Sequence, residues 1–346
     1  MKFGLFGSAQ APRGPAGAAA KGFWDYVETC VEAESLGYHS TFLVEHHFSG
    51  AGQVSASLNL QTWVAARTTR MRLGTAVIVL PWHNPILLAE QAATIDLMSG
   101  GRLDFGCGRG YRHSEFDGFC MSYDEAESRF EESLELIKLA WTSDERFSYE
   151  GKHWQVHDII VEPQPAQRPH PPIWIAAGSE GSIRKVARRG ANLILDQFAS
   201  PAQLAERIAI YKTELAAAGR PFDPMQVAVA RNFYVASGET DLEAALQRTR
   251  KVHERNIRLS RGPDERNRSH ILNYADTPGA TEEHALFGSA EKIARQVAEL
   301  RAVGVRYVLL NGNLDAAQSV RRFASEVMPQ FVEPQGVERV TAGASA

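Results

Sequence analysis

The chain has only three cysteines, Cys30, Cys107 and Cys120, and they lie far apart in a sequence of 346 residues. Three scattered cysteines cannot build a disulfide framework and lack the spacing of a zinc site. The sequence also has no apolar run near the ~20 residues that cross a bilayer, and its first ten residues lack the apolar core of a signal peptide. A reducing, cytoplasmic setting without membrane contact is therefore expected.

An excess of charge of one sign is missing as well. Lys and Arg number 37 against 41 Asp and Glu, which leaves a net charge of −4, and the basic residues are dispersed along the chain. Without a basic tract to neutralise phosphates, nucleic acid is not an expected partner. The remaining composition, 44% hydrophobic and 23% charged, is typical of a globular protein.

Hydrophobic periodicity predicts strands and helices in alternation. The predicted strands are 2–6, 41–44, 71–80, 103–107, 173–177, 193–195, 226–235 and 307–310. The predicted helices are 23–36, 58–67, 86–98, 130–141, 182–189, 201–218, 241–258, 290–303 and 316–327. No G-x-G-x-x-G turn follows the first strand, which argues against a Rossmann sheet. About eight strand–helix units therefore predict an α/β fold of the (β/α)8 TIM-barrel type.

The domain organisation expected from this pattern is one barrel domain over residues 1–330 and a flexible tail over 331–346. Two stretches, about 143–172 and 259–288, exceed what a minimal barrel needs. The second is polar and rich in charge. Long insertions in barrels are usually lids or disordered segments, and both interpretations stay open for it.

Three titratable residues, Glu45, His46 and His47, directly follow the second predicted strand. Active sites of TIM barrels lie at the ends of the strands, so these side chains should face the site. Adjacent residues on an extended chain point to opposite sides, so the two imidazoles would not readily chelate one ion, and no metal is expected. One imidazole could be structural and bonded to Glu45, while the other performs acid–base or oxyanion chemistry.

Two turns rich in glycine and serine could hold an anion. The stretch 106–116 contains Arg109 after the fourth strand, and 176–187 places Ser179 and Ser182 at the start of a helix. Backbone N–H groups and the helix dipole favour anions at a helix start, and the guanidinium of an arginine binds phosphate. Each turn also has an interpretation without a ligand: Arg109 could face solvent, and Ser179 or Ser182 could simply cap the helix. The combination of the two turns favours a phosphate site.

The chain resembles the bacterial luciferase-like flavin monooxygenases over nearly its whole length. The matching stretches are MKFG, FLVEHHF, LGTAVIVLP, LLAEQAATIDLMSGGRLDFGCGRG, PPIWIAAGS and EVMPQF, in the family's order and spacing. The resemblance implies a barrel that takes reduced FMN from a separate NAD(P)H:flavin reductase and reacts it with O2 through a C4a-peroxyflavin. The enzyme would oxygenate an organic substrate and would be a homodimer. Aromatic residues after the strands indicate that this substrate is small and apolar, although core packing explains most of them equally well. Light emission is not implied.

The resemblance also assigns expected roles to individual residues. His46, with Glu45 beside it, would assist the oxygen chemistry or the substrate, and a cis peptide between Ala76 and Val77 would lie under the flavin ring. The remaining expected cofactor contacts are Arg109, Tyr111, Ala177, Gly178, Ser179 and Ser182. Aromatic residues expected near the substrate are Phe48, Trp82, Tyr111, Phe198 and Phe233.

Three other functions remain as alternatives. One is an oxidoreductase of the same superfamily that transfers hydride with the deazaflavin F420 and needs no O2. Another is a non-catalytic flavin-binding protein, although such proteins tend to lack barrel elements that are all predicted here. A metal-dependent barrel hydrolase would need carboxylate and histidine ligands at several strand ends, and Asp196 alone gives it little support.

Overall fold

Strands and helices alternate in the computed structural model, which describes residues 1–12, 14, 16–260, 274, 277, 279–312 and 317–332. The strands are β1 Lys2–Gly7, β2 Ser40–Leu43, β3 Arg72–Thr75, β4 Ile78–Val79, β5 Leu103–Gly108, β6 Phe147–Glu150, β7 Gln155–Ile159, β8 Ile173–Ala176, β9 Asn192–Leu195, β10 Val227–Val235, β11 Leu286–Gly288 and β12 Tyr307–Asn311. The helices are α1 Ala16–Ser35, α2 Ser57–Arg67, α3 Pro85–Ser99, α4 His113–Gly118, α5 Ala126–Thr142, α6 Glu180–Arg188, α7 Pro201–Ala217, α8 Glu239–Ser260, α9 Ala280–Glu283, α10 Ala290–Ala302 and α11 Ala317–Arg322.

Eight of these strands close into a parallel barrel in the order β1, β2, β3, β5, β8, β9, β10 and β12, and β12 pairs with β1. β4 continues the pairing of β3 with β5, and β11 pairs in parallel with the last three residues of β10. β6 and β7 form an antiparallel hairpin of their own. The predicted (β/α)8 barrel is therefore confirmed.

The barrel has apolar side chains on both faces of its wall, as parallel strands covered by helices require. Inside, Phe42, Trp174 and Tyr307 pack edge to face with ring centroids 5.6–6.4 Å apart. Outside, helices bury stripes such as Phe130, Leu134, Ile137 and Trp141 of α5, all at most 5% exposed. The spacing of those four residues had predicted this helix.

The strand predicted over 71–80 is in fact broken, and that prediction was wrong. Gly74 pairs with Asp104 and Ile78 pairs with Cys107, so four steps along one strand oppose three along the other. Such an extra residue is a β-bulge, which hydrophobic periodicity does not register. The bulge contains Ala76 and Val77, and the peptide between them is cis as expected.

The Thr75 side chain replaces backbone pairing at this break. Its Oγ1 donates to the Gly106 carbonyl at 2.7 Å and accepts from the Gly106 N–H at 2.9 Å. Both polar groups of Gly106 are buried, so leaving them unpaired would cost free energy. The Thr75 hydroxyl thus makes the two hydrogen bonds to β5 that the backbone of β3 does not make at the bulge.

Three elements were not predicted: α4, α9 and β11. The β6–β7 hairpin lies within the stretch 147–161, where the sequence indicates an irregular β excursion. Of the expected insertion at 259–288, residues 261–273, 275–276 and 278 lie outside the described residues, as do 333–346 of the expected tail. The single-domain organisation therefore stays a prediction. No helix within the described ranges is long and apolar enough to cross a membrane.

Replacing Gly106 by Ala should destabilise the barrel, because the new Cβ would overlap the Thr75 carbonyl oxygen. Overpacking at a backbone contact that cannot move should cost about 3 kcal/mol or more. Gly181→Ala is the matched control, since no atom lies within 4 Å of its added Cβ, and helix propensity should leave it neutral or up to ~1 kcal/mol more stable. Urea unfolding of both variants measures the difference. Equal stabilities would contradict the close approach of β3 and β5.

Candidate active site

The histidine pair lies just past the end of β2, and its two members have different partners. Glu45 is 2% exposed, and its Oε1 lies 3.0 Å from His47 Nε2 and 2.9 Å from His83 Nε2. Trp82 Nε1 donates to the same oxygen at 2.8 Å. Glu45 therefore orients three rings that surround it, and His47 is the imidazole bonded to Glu45.

These contacts keep the Glu45 carboxylate ionised although it is buried. Burial by itself raises the pKa of Glu45, but the hydrogen bonds from His47, His83 and Trp82 outweigh it, so the pKa lies below its ordinary value. A buried carboxylate with several donors is a fixed structural anion. Glu45 thus supports the walls of the site in this structure.

His46 points to a different carboxylate. Its Nδ1 lies 3.0 Å from Glu115 Oε1, on α4, and the same oxygen accepts the backbone N–H of His47 at 2.9 Å. Burial lowers the pKa of His46 and the Arg112 charge lowers it further, while Glu115 acts in the opposite direction. The Tyr111 ring stands edge-on to the imidazole at 6.2 Å. His46 is therefore a largely neutral imidazole at neutral pH, 13% exposed at the barrel mouth.

The two turns predicted to bind an anion meet beside α5. Arg109 Nη1 lies 3.7 Å from Glu127 Oε2, and Lys185 Nζ, on α6, lies 2.7 Å from Glu127 Oε1. Burial raises the pKa of Glu127, but the hydrogen bond from Lys185 and the nearby arginine charges outweigh it and lower that pKa. Two cations thus share one exposed carboxylate at this point of the barrel rim.

The start of α6 lies in the same region. Ser179 is the N-cap of α6, and its Oγ accepts the Ser182 N–H at 3.4 Å and lies 2.6 Å from Ser182 Oγ. The ordinary capping interpretation is therefore correct for Ser179, which is exposed at the positive end of the helix, while Ser182 is half-buried. Capping and anion binding are compatible at such a helix start.

Small residues, Ala76, Val77 and Ala176, form a wall at the end of the barrel that carries His46 and Arg109. Ala76 and Val77 in the bulge are partly exposed, and Ala176, the last residue of β8, is exposed although it belongs to a barrel strand. A Cβ at Gly108 would come within 2.7 Å of Val77 Cγ2. The side chains at these positions are small, and the bulge follows β3, the strand between β2, which precedes His46, and β5, which precedes Arg109.

A cleft opens between α8 and the ends of β9, β10 and β12. Its aromatic lining residues are Phe198, Phe233, Tyr234 and Phe287, and its polar lining residues include Asn232, Asn256 and Asn311. Phe198 and Phe233 were expected near a substrate. Phe48 and Trp82 instead pack around His47 with Phe119, at ring distances of 4.9–5.7 Å.

Sequence reasoning missed Arg112, Glu115, Glu127 and Lys185, which complete the two polar clusters. Arg112 and Glu115 are each 1% exposed. Their spacing of three residues is a helical ion-pair pattern that could have indicated α4. Within the described part of the chain, no group of three His, Cys, Asp or Glu residues is arranged to hold a metal ion.

Fold and site together define a TIM barrel whose C-terminal end carries Arg109 and Lys185 at its rim, a wall of small side chains and a neutral histidine, His46. The family model for luciferase-like monooxygenases matches residues 1–307. The chain belongs to this family and is an oxidoreductase of the monooxygenase type.

Similar proteins agree with this assignment. The oxygenase component of the flavin-dependent trigonelline monooxygenase of Acinetobacter baylyi is 27% identical over 341 residues, 93% of either chain. The monooxygenase RslO1 of Streptomyces bottropensis superposes with a TM-score of 0.80 at 29% identity, over 96% of this chain and 100% of that one. An F420-dependent secondary alcohol dehydrogenase has a TM-score of 0.76 at 17% identity, over 96% and 99%, and so shares the fold.

Replacing Glu45 by Gln should lower the free energy of unfolding by about 1–3 kcal/mol, because an amide cannot accept from all the donors that surround it. The pKa of Glu45 is lowered in the folded state, so its contribution is present above the ordinary value of 4.5 and is lost as the pH falls through the folded value. The gap between wild type and variant should therefore narrow in acid. Urea unfolding at several pH values measures it, with the exposed Glu145→Gln as control. A gap that does not depend on pH would contradict an ionised Glu45.

Proposed function

We propose that this protein is the oxygenase component of a two-component, FMN-dependent monooxygenase. It would receive reduced FMN from a separate NAD(P)H:flavin reductase and use O2 to oxygenate a small, largely apolar or aromatic organic substrate. The observation that carries the proposal is that His46, the small residues Ala76 and Val77, and Arg109 follow the neighbouring strands β2, β3 and β5 at one end of the barrel. Bound flavin would supply the oxygen chemistry.

The rim has the chemistry that the phosphate of FMN requires. Arg109 is 33% exposed, and its Nη1 lies as far as 3.7 Å from Glu127 Oε2. This is a weak ion pair, so the guanidinium can turn towards a ligand. Ser179 and Ser182 offer hydroxyls at the start of α6, and Lys185 adds a second cation. Gly178 and Ala177, which precede them, leave the approach to these groups free of large side chains.

The wall fits a planar ring system. Ala76, Val77 and Ala176 present short, partly exposed side chains, and Tyr111 borders the surface next to His46. Cofactor sites are clefts lined mostly by apolar side chains, with a few polar groups that fix the orientation of the ligand. With the phosphate at Arg109, the ring would extend along this wall towards His46.

His46 would hold or accept a proton where the ring and the substrate meet. Its lowered pKa keeps the imidazole neutral near pH 7, so that it can accept a hydrogen bond or a proton there. Glu45 would act indirectly, through the rings of His47 and His83 that it orients. Both roles remain proposals.

The cleft under α8 is the proposed substrate site. Its four aromatic side chains favour an apolar or aromatic molecule, while the linked amides of Asn232 and Asn311, 2.9 Å apart, can orient a polar group. α8 covers this side of the mouth and would exclude water from it.

We further propose that the protein is a homodimer. Four apolar side chains on the helices α2 and α3 are 44–72% exposed: Trp63, Leu87, Leu97 and Met98. Exposed apolar side chains on neighbouring helices mark interaction surfaces. Sedimentation velocity should give a dimer for the wild type and a larger monomer fraction for Met98→Lys. A monomer at all concentrations would exclude the dimer.

Anaerobic titration with reduced FMN and reduced F420, followed by a pulse of oxygen, tests the function. The proposal expects tight binding of reduced FMN, consumption of oxygen, and flavin reoxidation whose rate differs from that of free flavin. Binding of F420 alone without oxygen consumption would support hydride transfer instead. FMN binding with the reoxidation kinetics of free flavin would support a flavin-binding protein without catalysis.

Replacing Arg109 by Ala should weaken binding of reduced FMN about 10- to 100-fold, the effect of losing a contact to a charged group of about 1.5–3 kcal/mol. Binding of reduced riboflavin, which lacks the phosphate, should not change. Fluorescence titration measures both affinities. Equal weakening of both ligands would place Arg109 away from the phosphate.

Glu127→Gln provides the opposite change at the same rim. Glu127 occupies the side of Arg109 and Lys185 that a phosphate would approach, so removing its charge should strengthen FMN binding and leave riboflavin binding unchanged. Weaker FMN binding would mean that Glu127 supports the arginine instead of competing with the ligand.

A further inference from the structure

The contact between His46 and Glu115 joins residues 69 positions apart in the chain. Glu115 lies on α4, a helix of six residues, and its side chain is 1% exposed. A buried carboxylate is retained only where donors compensate for its burial. Its Oε1 has three such partners: His46 Nδ1 at 3.0 Å, the His47 N–H at 2.9 Å and Arg112 Nη1 at 3.7 Å.

An ionised carboxylate can only accept hydrogen bonds. The nitrogen that faces Glu115, Nδ1 of His46, must therefore carry the ring proton in the neutral imidazole. The other nitrogen, Nε2, then carries the lone pair. The contact selects one of two tautomers that would otherwise differ little in free energy.

Arg112 connects this carboxylate to the wall of the cleft. Its Nη2 donates to Asn256 Oδ1 at 3.0 Å and its Nη1 donates to Gln53 Oε1 at 3.2 Å. Asn256 belongs to α8 and lines the cleft. A second contact, from Ser114 Oγ to the Leu259 carbonyl at 2.8 Å, holds α8 against α4. α8 and the histidine thus share one buried set of polar contacts.

We propose that Glu115, held by Arg112, is the positioning residue of His46: it fixes the tautomer with hydrogen on Nδ1 and presents Nε2 to the reacting molecules. When Nε2 accepts a proton from a bound donor, the contact of the Glu115 carboxylate with Nδ1 stabilises the imidazolium that forms. The use of this proton transfer in catalysis rests on the proposed function, but the tautomer does not.

The test is a long-range 1H–15N NMR correlation on the whole protein with ¹⁵N-labelled histidine, recorded without flavin over a range of pH. His46→Asn identifies the signals of His46 among the 11 histidines. The wild type should show hydrogen on Nδ1. In Glu115→Gln the fixed tautomer should be lost, and the pKa of His46 should fall because the carboxylate that raises it is gone.

The groups that face His46 are Glu115 and Arg112 on the α4 side, Glu45 on the β2 side and the Tyr111 ring. Only Glu115 among them is changed in the variant, so the shift in the titration of His46 reports on that carboxylate. Glu132→Gln is the matched control, a 9% exposed carboxylate that accepts the backbone N–H groups of His153 and Trp154 and is not among the groups that act on His46. It should leave the His46 signals unchanged.

Hydrogen on Nε2 in the wild type would overturn the proposal, even if Glu115→Gln failed to fold. So would an unchanged tautomer and an unchanged titration in a folded Glu115→Gln protein. Because no flavin is present, either result is independent of whether the enzyme uses FMN or F420.

Discussion

The contact of Thr75 with Gly106 is the constraint on which the candidate site depends. A closed barrel tolerates few unpaired backbone groups, yet β3 must leave β5 for the bulge to reach the mouth. The Thr75 hydroxyl serves both polar groups of Gly106 at that point. Gly106 and Gly108 carry no side chain because β3 and Val77 already occupy the space. The wall at Ala76 and Val77 therefore depends on three residues: Thr75 supplies the missing hydrogen bonds, and Gly106 and Gly108 leave room for the bulge.

The same end of the barrel explains why a carboxylate and two imidazoles follow β2 in sequence. Adjacent side chains on an extended segment diverge, so His46 and His47 reach different surroundings. His47 turns to Glu45 and the aromatic rings of Trp82 and Phe119. His46 turns to Glu115 at the mouth. The two interpretations left open for the pair, structure and proton chemistry, therefore fit one imidazole each.

Local patterns predicted the features of this protein that local patterns determine. Alternation and apolar periodicity predicted the eight barrel strands and helices such as α5, and Ser179 was recognisable as a helix start. The bulge at 76–77 was not derivable from periodicity, because an apolar run looks the same with or without an extra residue; only the family resemblance indicated something unusual there. Glu115 and Glu127 were missed for another reason. Their roles come from partners 69 and 58 residues away, and no local pattern encodes such pairs.

The two polar clusters differ in how tightly their charges are held, and this difference matches the work proposed for each. Arg109 and Glu127 are 33% and 46% exposed, so water replaces their contact at little cost when a ligand enters or leaves. Arg112 and Glu115 are 1% exposed, and removing either would leave the other buried without its partner. A cofactor that is delivered reduced and released oxidised in every cycle requires an anion site that exchanges readily. A histidine that must present the same nitrogen in every cycle requires a partner that does not move.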